Sequence, residues 1–121
     1  MAATLAAARS LDARRVVAVF QPHLYSRTRA LAQAFGRALA AADAVVVLGI
    51  YPAREQAEDF PGVTGRLVAE YAADAGGGRG VAWMPGFAEA RTYLDSFLRA
   101  GDVCLMMGAG NIDALARSLV V

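Results

Sequence analysis

Lysine is absent from this 121-residue chain; all twelve basic residues are arginine. A phosphate-loop lysine, a Schiff-base lysine and a modified lysine are therefore excluded as chemistry that the chain can supply. Cysteine occurs once, at Cys104, so no internal disulfide can form. Its place inside an apolar run reads as a core position. Histidine also occurs once, at His23. There is thus no Cys/His cluster for zinc, no paired nucleophile and base is recognisable, and the scattered acidic residues do not compose a metal site. The net charge of +1 gives no long-range field for nucleic acid. No apolar run approaches the length of a bilayer span. Residues 1–9 lack the cationic start of a secretion signal, and their apolar part is short and Ala-rich. Together these absences point to a cytoplasmic protein.

What is present is globular in character, with 57% hydrophobic and 19% charged residues, and the length suits one domain. Four apolar runs recur, at 16–20, 44–50, 81–84 and 103–107. None alternates polar with apolar, and runs apolar on both faces suit parallel strands covered by helices. Helical spacing lies between them. Leu31, Ala34, Phe35, Ala38, Leu39 and Ala42 form one face, and Val63, Leu67, Val68 and Tyr71 a second. Phe87, Ala90, Leu94, Phe97 and Leu98 form a third, and Ile112, Leu115 and Leu119 close the chain. Leu5 and Ala8 belong to an opening helix. The order αβαβαβαβα predicts an α/β fold, a Rossmann-like doubly wound and mostly parallel sheet of about four to five strands flanked by helices. Gly76-Gly77-Gly78-Arg79-Gly80 and Asp59-Phe60-Pro61-Gly62 read as turns. A doubly wound domain usually opens on a strand, whereas this chain opens on a helix. That predicts a sheet without its first strand, or a piece of something longer.

Three strand-to-helix turns carry the residues that could do chemistry. The first is Phe20-Gln21-Pro22-His23-Leu24-Tyr25-Ser26-Arg27-Thr28-Arg29. In open α/β sheets such turns lie at the carboxyl edge of the strands, where ligands bind. First-turn arginines oppose the helix dipole, and an anion at that helix start would explain Arg27 and Arg29. The alternative is that His23 bonds a loop carbonyl, Ser26 caps the helix and both arginines are solvated. The second turn, Gly49-Ile50-Tyr51-Pro52-Ala53-Arg54-Glu55, could bring Tyr51, Arg54 and Glu55 to the same cleft, or simply be a polar loop. The third, Met107-Gly108-Ala109-Gly110-Asn111-Ile112, has glycines that let a phosphate approach the backbone and an asparagine that can cap the next helix; a tight turn explains it equally well.

These segments, with Pro61-Gly62-Val63 between the second and third, occur in an order that resembles the carboxyl-terminal domain of the Mur ligases, in their alanine-adding branch. The resemblance covers essentially the whole chain, residues 1–121, as a single domain without the family's first strand. It implies a part in cytoplasmic peptidoglycan synthesis. There ATP, with magnesium, phosphorylates the lactyl carboxylate of UDP-N-acetylmuramate, and the amine of L-alanine attacks the acyl phosphate. The family's His-x-x-x-Arg pair maps to His23 and Arg27, implying a catalytic and substrate-orienting His23 and an Arg27 that clamps the alanine carboxylate. Arg29, Tyr51 and Arg54 join them as candidate substrate-binding residues. Gly108, Gly110 and Asn111 form a candidate nucleotide-facing turn. Leu24 stands where the family often has arginine. The phosphate loop, the carbamylated lysine and the family's Tyr-x-His-His-Pro segment have no counterpart here, so the isolated chain is expected to be inactive, with no ATP or magnesium held stably by it alone. Without the first strand, residues 16–20 border the gap, which predicts an exposed sheet edge and a homodimer. A freestanding α/β binding module for a ligand or a partner protein is the alternative reading. A flavodoxin-like receiver domain would need an acidic cluster at the strand ends that the sequence lacks.

Overall fold

A computed structural model describes residues 2–9, 14–77, 80–108 and 112–119, with the side chains of 2, 3 and 9 excepted. The elements are α1 (Ala2–Arg9), β1 (Arg15–Gln21), α2 (Tyr25–Leu39), β2 (Ala44–Val47), α3 (Gly65–Ala75), β3 (Val81–Trp83), α4 (Phe87–Phe97), β4 (Asp102–Gly108) and α5 (Ile112–Leu119). A short 3-10 turn at Ala57–Asp59 lies within the loop between β2 and α3. The αβαβαβαβα order expected from hydropathy is the order found.

The four strands are parallel and run β3-β2-β1-β4 across the sheet. Parallel neighbours need crossovers, and here the crossover helices cover both faces. One core lies against α1, α2 and α3, built on Val16, Ala18, Phe20, Val45 and Val47 with Leu5, Leu39 and Val68. The other lies against α4 and α5, built on Val17, Val19, Val46 and Leu48 with Leu94, Ile112 and Leu115. Alternate residues of β1 enter opposite cores, which is why residues 16–20 are apolar without interruption and buried throughout.

Three expectations change. Residues 16–20 do not border a gap: β1 pairs with β2 on one side and β4 on the other. The outer strands among the described residues are β3 and β4. Because β4 is outermost, residues 103–107 and the Cys104 thiol within them are half-buried rather than fully enclosed. The buried stripe of α2 is Thr28, Ala32, Gly36 and Leu39, while Leu31 is 39% exposed and Ala34 also faces solvent. The reason is close helix packing. A Cβ on Gly36 would collide with Tyr71 and the Ala72 backbone of α3, so the contact selects small residues rather than large apolar ones. Tyr71 correspondingly lies 36% exposed.

Charge closes the amino end of the β1–β4 pair. Arg15, in register with Asp102, donates from Nε to Oδ1 at 3.0 Å and from an Nη to Oδ2 at 2.6 Å. The same guanidinium donates to the Phe97 carbonyl at 2.9 Å and lies 4.4 Å from the centre of the Phe97 ring. Asp102 also accepts the Arg99 backbone N–H at 2.9 Å. The Arg15 hydrogen bonds, with help from the Arg99 N–H, hold the Asp102 carboxyl down to about 2. Asp43 performs a related service nearby, its carboxylate accepting the Val16 N–H at 2.8 Å where β1 begins.

Candidate functional site

Strand order reverses between β1 and β4, because the chain builds outward from β1 to β2 and β3 on one side and returns to place β4 on the other. Such a reversal leaves a crevice outside the carboxyl ends of the two strands. A cleft of about 530 Å3 lies at that position. Its floor is Phe20 and Gln21 of β1 with Met106, Met107 and Gly108 of β4; Thr4 and Phe35 come from α1 and α2; His23 and Arg27 stand at its cationic side. Gly108, at φ 147°, passes so near β1 that a Cβ would lie 2.6 Å from the Gln21 carbonyl oxygen. Only glycine lets the two strand ends converge there.

The loops beyond β1 and β2 are tied to each other before either enters its helix. Leu48 N–H donates to the Phe20 carbonyl at 2.9 Å, continuing the ladder. Further on, Tyr51 N–H donates to the Pro22 carbonyl at 2.8 Å and Leu24 N–H to the Tyr51 carbonyl at 2.9 Å, giving an isolated parallel bridge between His23 and Tyr51. Their rings stack, with centroids 5.9 Å apart and planes 23° from parallel. The imidazole therefore rests on a phenol ring while reaching the cleft.

Contrary to the alternative reading of this turn, Ser26 does not cap α2. The N-cap residue is Leu24, with no side-chain cap, and it adopts φ 69°. The anion that serves this helix start comes from 29 positions downstream: Glu55 accepts the Ser26 N–H at 3.0 Å and the Ser26 hydroxyl at 2.5 Å. These bonds, led by the hydroxyl and supported by the backbone N–H groups of Ser26 and Tyr25 and by the Arg29 charge, hold the Glu55 carboxyl below the usual carboxylate range. A carboxylate at a helix N-terminus is favoured by the exposed N–H groups and the dipole. The anion that the first-turn arginines call for is, in part, the chain's own.

The sequence candidates thus divide. His23 and Arg27 line the cleft together with Gly108. Tyr51 supports His23 from behind without lining the cleft. Arg29 lies 5.0 Å over the Phe60 ring and contributes to the Glu55 environment. Arg54 is exposed on the loop and does not line the cleft. Gly110 and Asn111 lie outside the described residues. Phe20 and Met107 stand in the candidate turns only as their opening residues, Met106, Phe35 and Thr4 not at all, and the signal that brings them together is strand order. Among the described residues no group of three or more His, Cys, Asp and Glu could hold a metal ion, and no helix is long and apolar enough to cross a membrane.

The sequence profile of the family described as "Mur ligase, glutamate ligase domain" matches residues 1–110. The chain is 53% identical to UDP-N-acetylmuramate–L-alanine ligase of Chlorobaculum parvum over 118 residues, covering 94% of the chain and 24% of that relative. Identity is 50% with the ligase of the same name from Chlorobium chlorochromatii, over 88% of the chain and 23% of the relative. With that from Mycolicibacterium paratuberculosis it is 46%, over 99% of the chain and 24% of the relative. The chain thus spans about a quarter of the length of the curated relatives it matches.

Proposed function

The chain belongs to the Mur ligase family, as its glutamate ligase domain, and from that premise we propose that it serves as the carboxyl-terminal domain of the ATP-dependent ligase that joins L-alanine to UDP-N-acetylmuramate in the cytoplasm. The observation that carries this reading is the cleft at the β1–β4 switch point, where His23 and Arg27, four residues apart, face the same space. Arg27 offers a planar two-pronged donor to the alanine carboxylate. His23, held flat by Tyr51, orients the amine toward the acyl phosphate; holding two reactants in attack geometry is itself a large part of catalysis. Tyr51 supports that orientation. Arg29 and Arg54 do not line the cleft, and in this reading they meet substrate only where the rest of the ligase closes over them. The turn through Gly108, Gly110 and Asn111 faces the nucleotide.

ATP is a substrate in this reading, and the groups that anchor its phosphates belong to the remaining three quarters of the ligase, since the chain has no lysine. Among the described residues no group of three or more His, Cys, Asp and Glu could hold a metal ion; in this reading magnesium acts together with ATP in the complete ligase. By itself the chain is expected to release no phosphate from ATP with UDP-N-acetylmuramate and L-alanine present. Homodimer formation by the isolated chain belongs to the same reading; the backbone edges available for it among the described residues are those of β3 and β4, and β4 is the longer.

Steady-state kinetics of the complete ligase test the assignment. Arg27→Ala should raise the KM for L-alanine by a factor equivalent to about 1.5–3 kcal/mol, the value of a lost charge-assisted contact. His23→Ala should lower kcat more than Arg27→Ala does. Unchanged constants for both variants would refute the site.

A further inference from the structure

Among the described residues only two non-glycine residues hold a positive φ, Leu24 at 69° and Ala53 at 52°. Leu24 ends the segment that carries His23, and Ala53 lies in the loop that carries Tyr51. Side chains on residues of this handedness crowd the backbone, and such conformations persist only where the surroundings over-determine them. The surroundings here are specific. Glu55 N–H donates to the Pro52 carbonyl at 2.9 Å, closing a tight turn around Ala53, and the Glu55 side chain then reaches across to Ser26 at the start of α2. The bridge between His23 and Tyr51 comes just before these two fastenings along both loops. Glu55 itself does not line the cleft.

We propose that Glu55 is a positioning residue for the cleft: it fastens the loop after β2 to the first turn of α2, and so fixes His23 on Tyr51 and aims Arg27 at the amino-acid carboxylate. The inference rests on the functional reading above and extends it to a residue that contacts no substrate. Ser26 is the donating half of the fastening, through both its N–H and its hydroxyl. Glutamine at 55 keeps one acceptor oxygen but replaces the other with a donor, which cannot accept from the hydroxyl and the N–H together. Aspartate is one methylene shorter and keeps the charge and both acceptors.

The complete ligase carries the test, with KM for L-alanine, ATP and UDP-N-acetylmuramate measured separately. Glu55→Ala should raise the KM for L-alanine about 10-fold and depress kcat, while the other two KM values stay within about twofold. Ser26→Ala, which removes only the hydroxyl, should shift the same constant in the same direction by about threefold, and it decides the matter if Glu55→Ala does not fold. Glu55→Asp should recover part of the loss. Placed on Arg27→Ala, the Glu55→Ala change should add less than twofold to the L-alanine KM, because its effect passes through Arg27. Normal kinetics for both Glu55→Ala and Ser26→Ala overturn the proposal, as does an effect that multiplies in full with Arg27→Ala or spreads evenly over the three substrates. If Arg27→Ala and His23→Ala are themselves silent, the functional reading has failed; if they act and Glu55→Ala and Ser26→Ala do not, only the positioning role has.

Discussion

At the amino end of the β1–β4 pair, Arg15 meets Asp102 in register, and the two opposite charges pair at 2.6 Å. Six residues later, at the carboxyl end, Gln21 meets Gly108, and the His23 imidazole and the Arg27 guanidinium face a cleft. The Glu55 carboxylate is turned to the backbone N–H and hydroxyl of Ser26 in α2. The same two strands therefore end once in a closed ionic clamp and once in an open, cation-lined crevice. Charges that complete each other hold the sheet together, while those left facing a cavity are available to a ligand.

The comparison can be broken most severely at its open end. Gly108→Val would place a branched side chain at φ 147° and against the Gln21 carbonyl. The strain and overpacking should cost on the order of 3 kcal/mol or more and deform the cleft. Thermal unfolding together with L-alanine kinetics of the complete ligase would register both losses. At the closed end, Asp102→Ala strips the counter-charge from a partly exposed Arg15 and should cost about 2–3 kcal/mol, a fall in Tm on the order of 10 °C. The KM for L-alanine should not move. If it does, the two ends are not separable.

Acid sharpens the same contrast. Asp102 titrates near 2 in the folded chain, against 3.8 as its ordinary value. Its contribution is therefore complete above about pH 4 and declines as pH falls toward and through 2. Unfolding free energies measured between pH 2 and 5 should show a slope that flattens in Asp102→Asn. The smallest effect belongs to an ion pair that serves neither end. Arg66 and Glu70, at 3.2 Å on the exposed face of α3, are both more than 60% exposed. Glu70→Gln should change stability by no more than about 0.5 kcal/mol. A larger change would mean that surface charge matters in this fold beyond the clamp.

Much of this was legible in the residues. Four apolar runs flanked by helical spacing predict a parallel sheet, since only a strand covered on both faces, like Val16 to Phe20, is apolar at every position. The α2 stripe was not legible. Thr28 and Gly36 are buried because helices approach closely over small residues, and a search for large apolar side chains points to Leu31 instead. The half-burial of β4 follows from its outer place, which depends on strand order and not on local composition. At the site, the histidine and arginine four apart can be read from one turn. Glu55 can be read as a residue that could reach the cleft, but its partner Ser26 cannot, because the two come close only after β2 has returned alongside β1.

Cys104 turns its modest burial into a clock. It is the single thiol of the chain and lies in the outermost strand beside β1. Burial raises its pKa to about 11, so in the native chain it is almost wholly protonated at neutral pH and reacts slowly with disulfide reagents. Each time β4 peels away, the thiol returns to its ordinary acidity and becomes a target. The labelling rate of that one thiol, read by mass, counts the openings of a strand that helps floor the cleft.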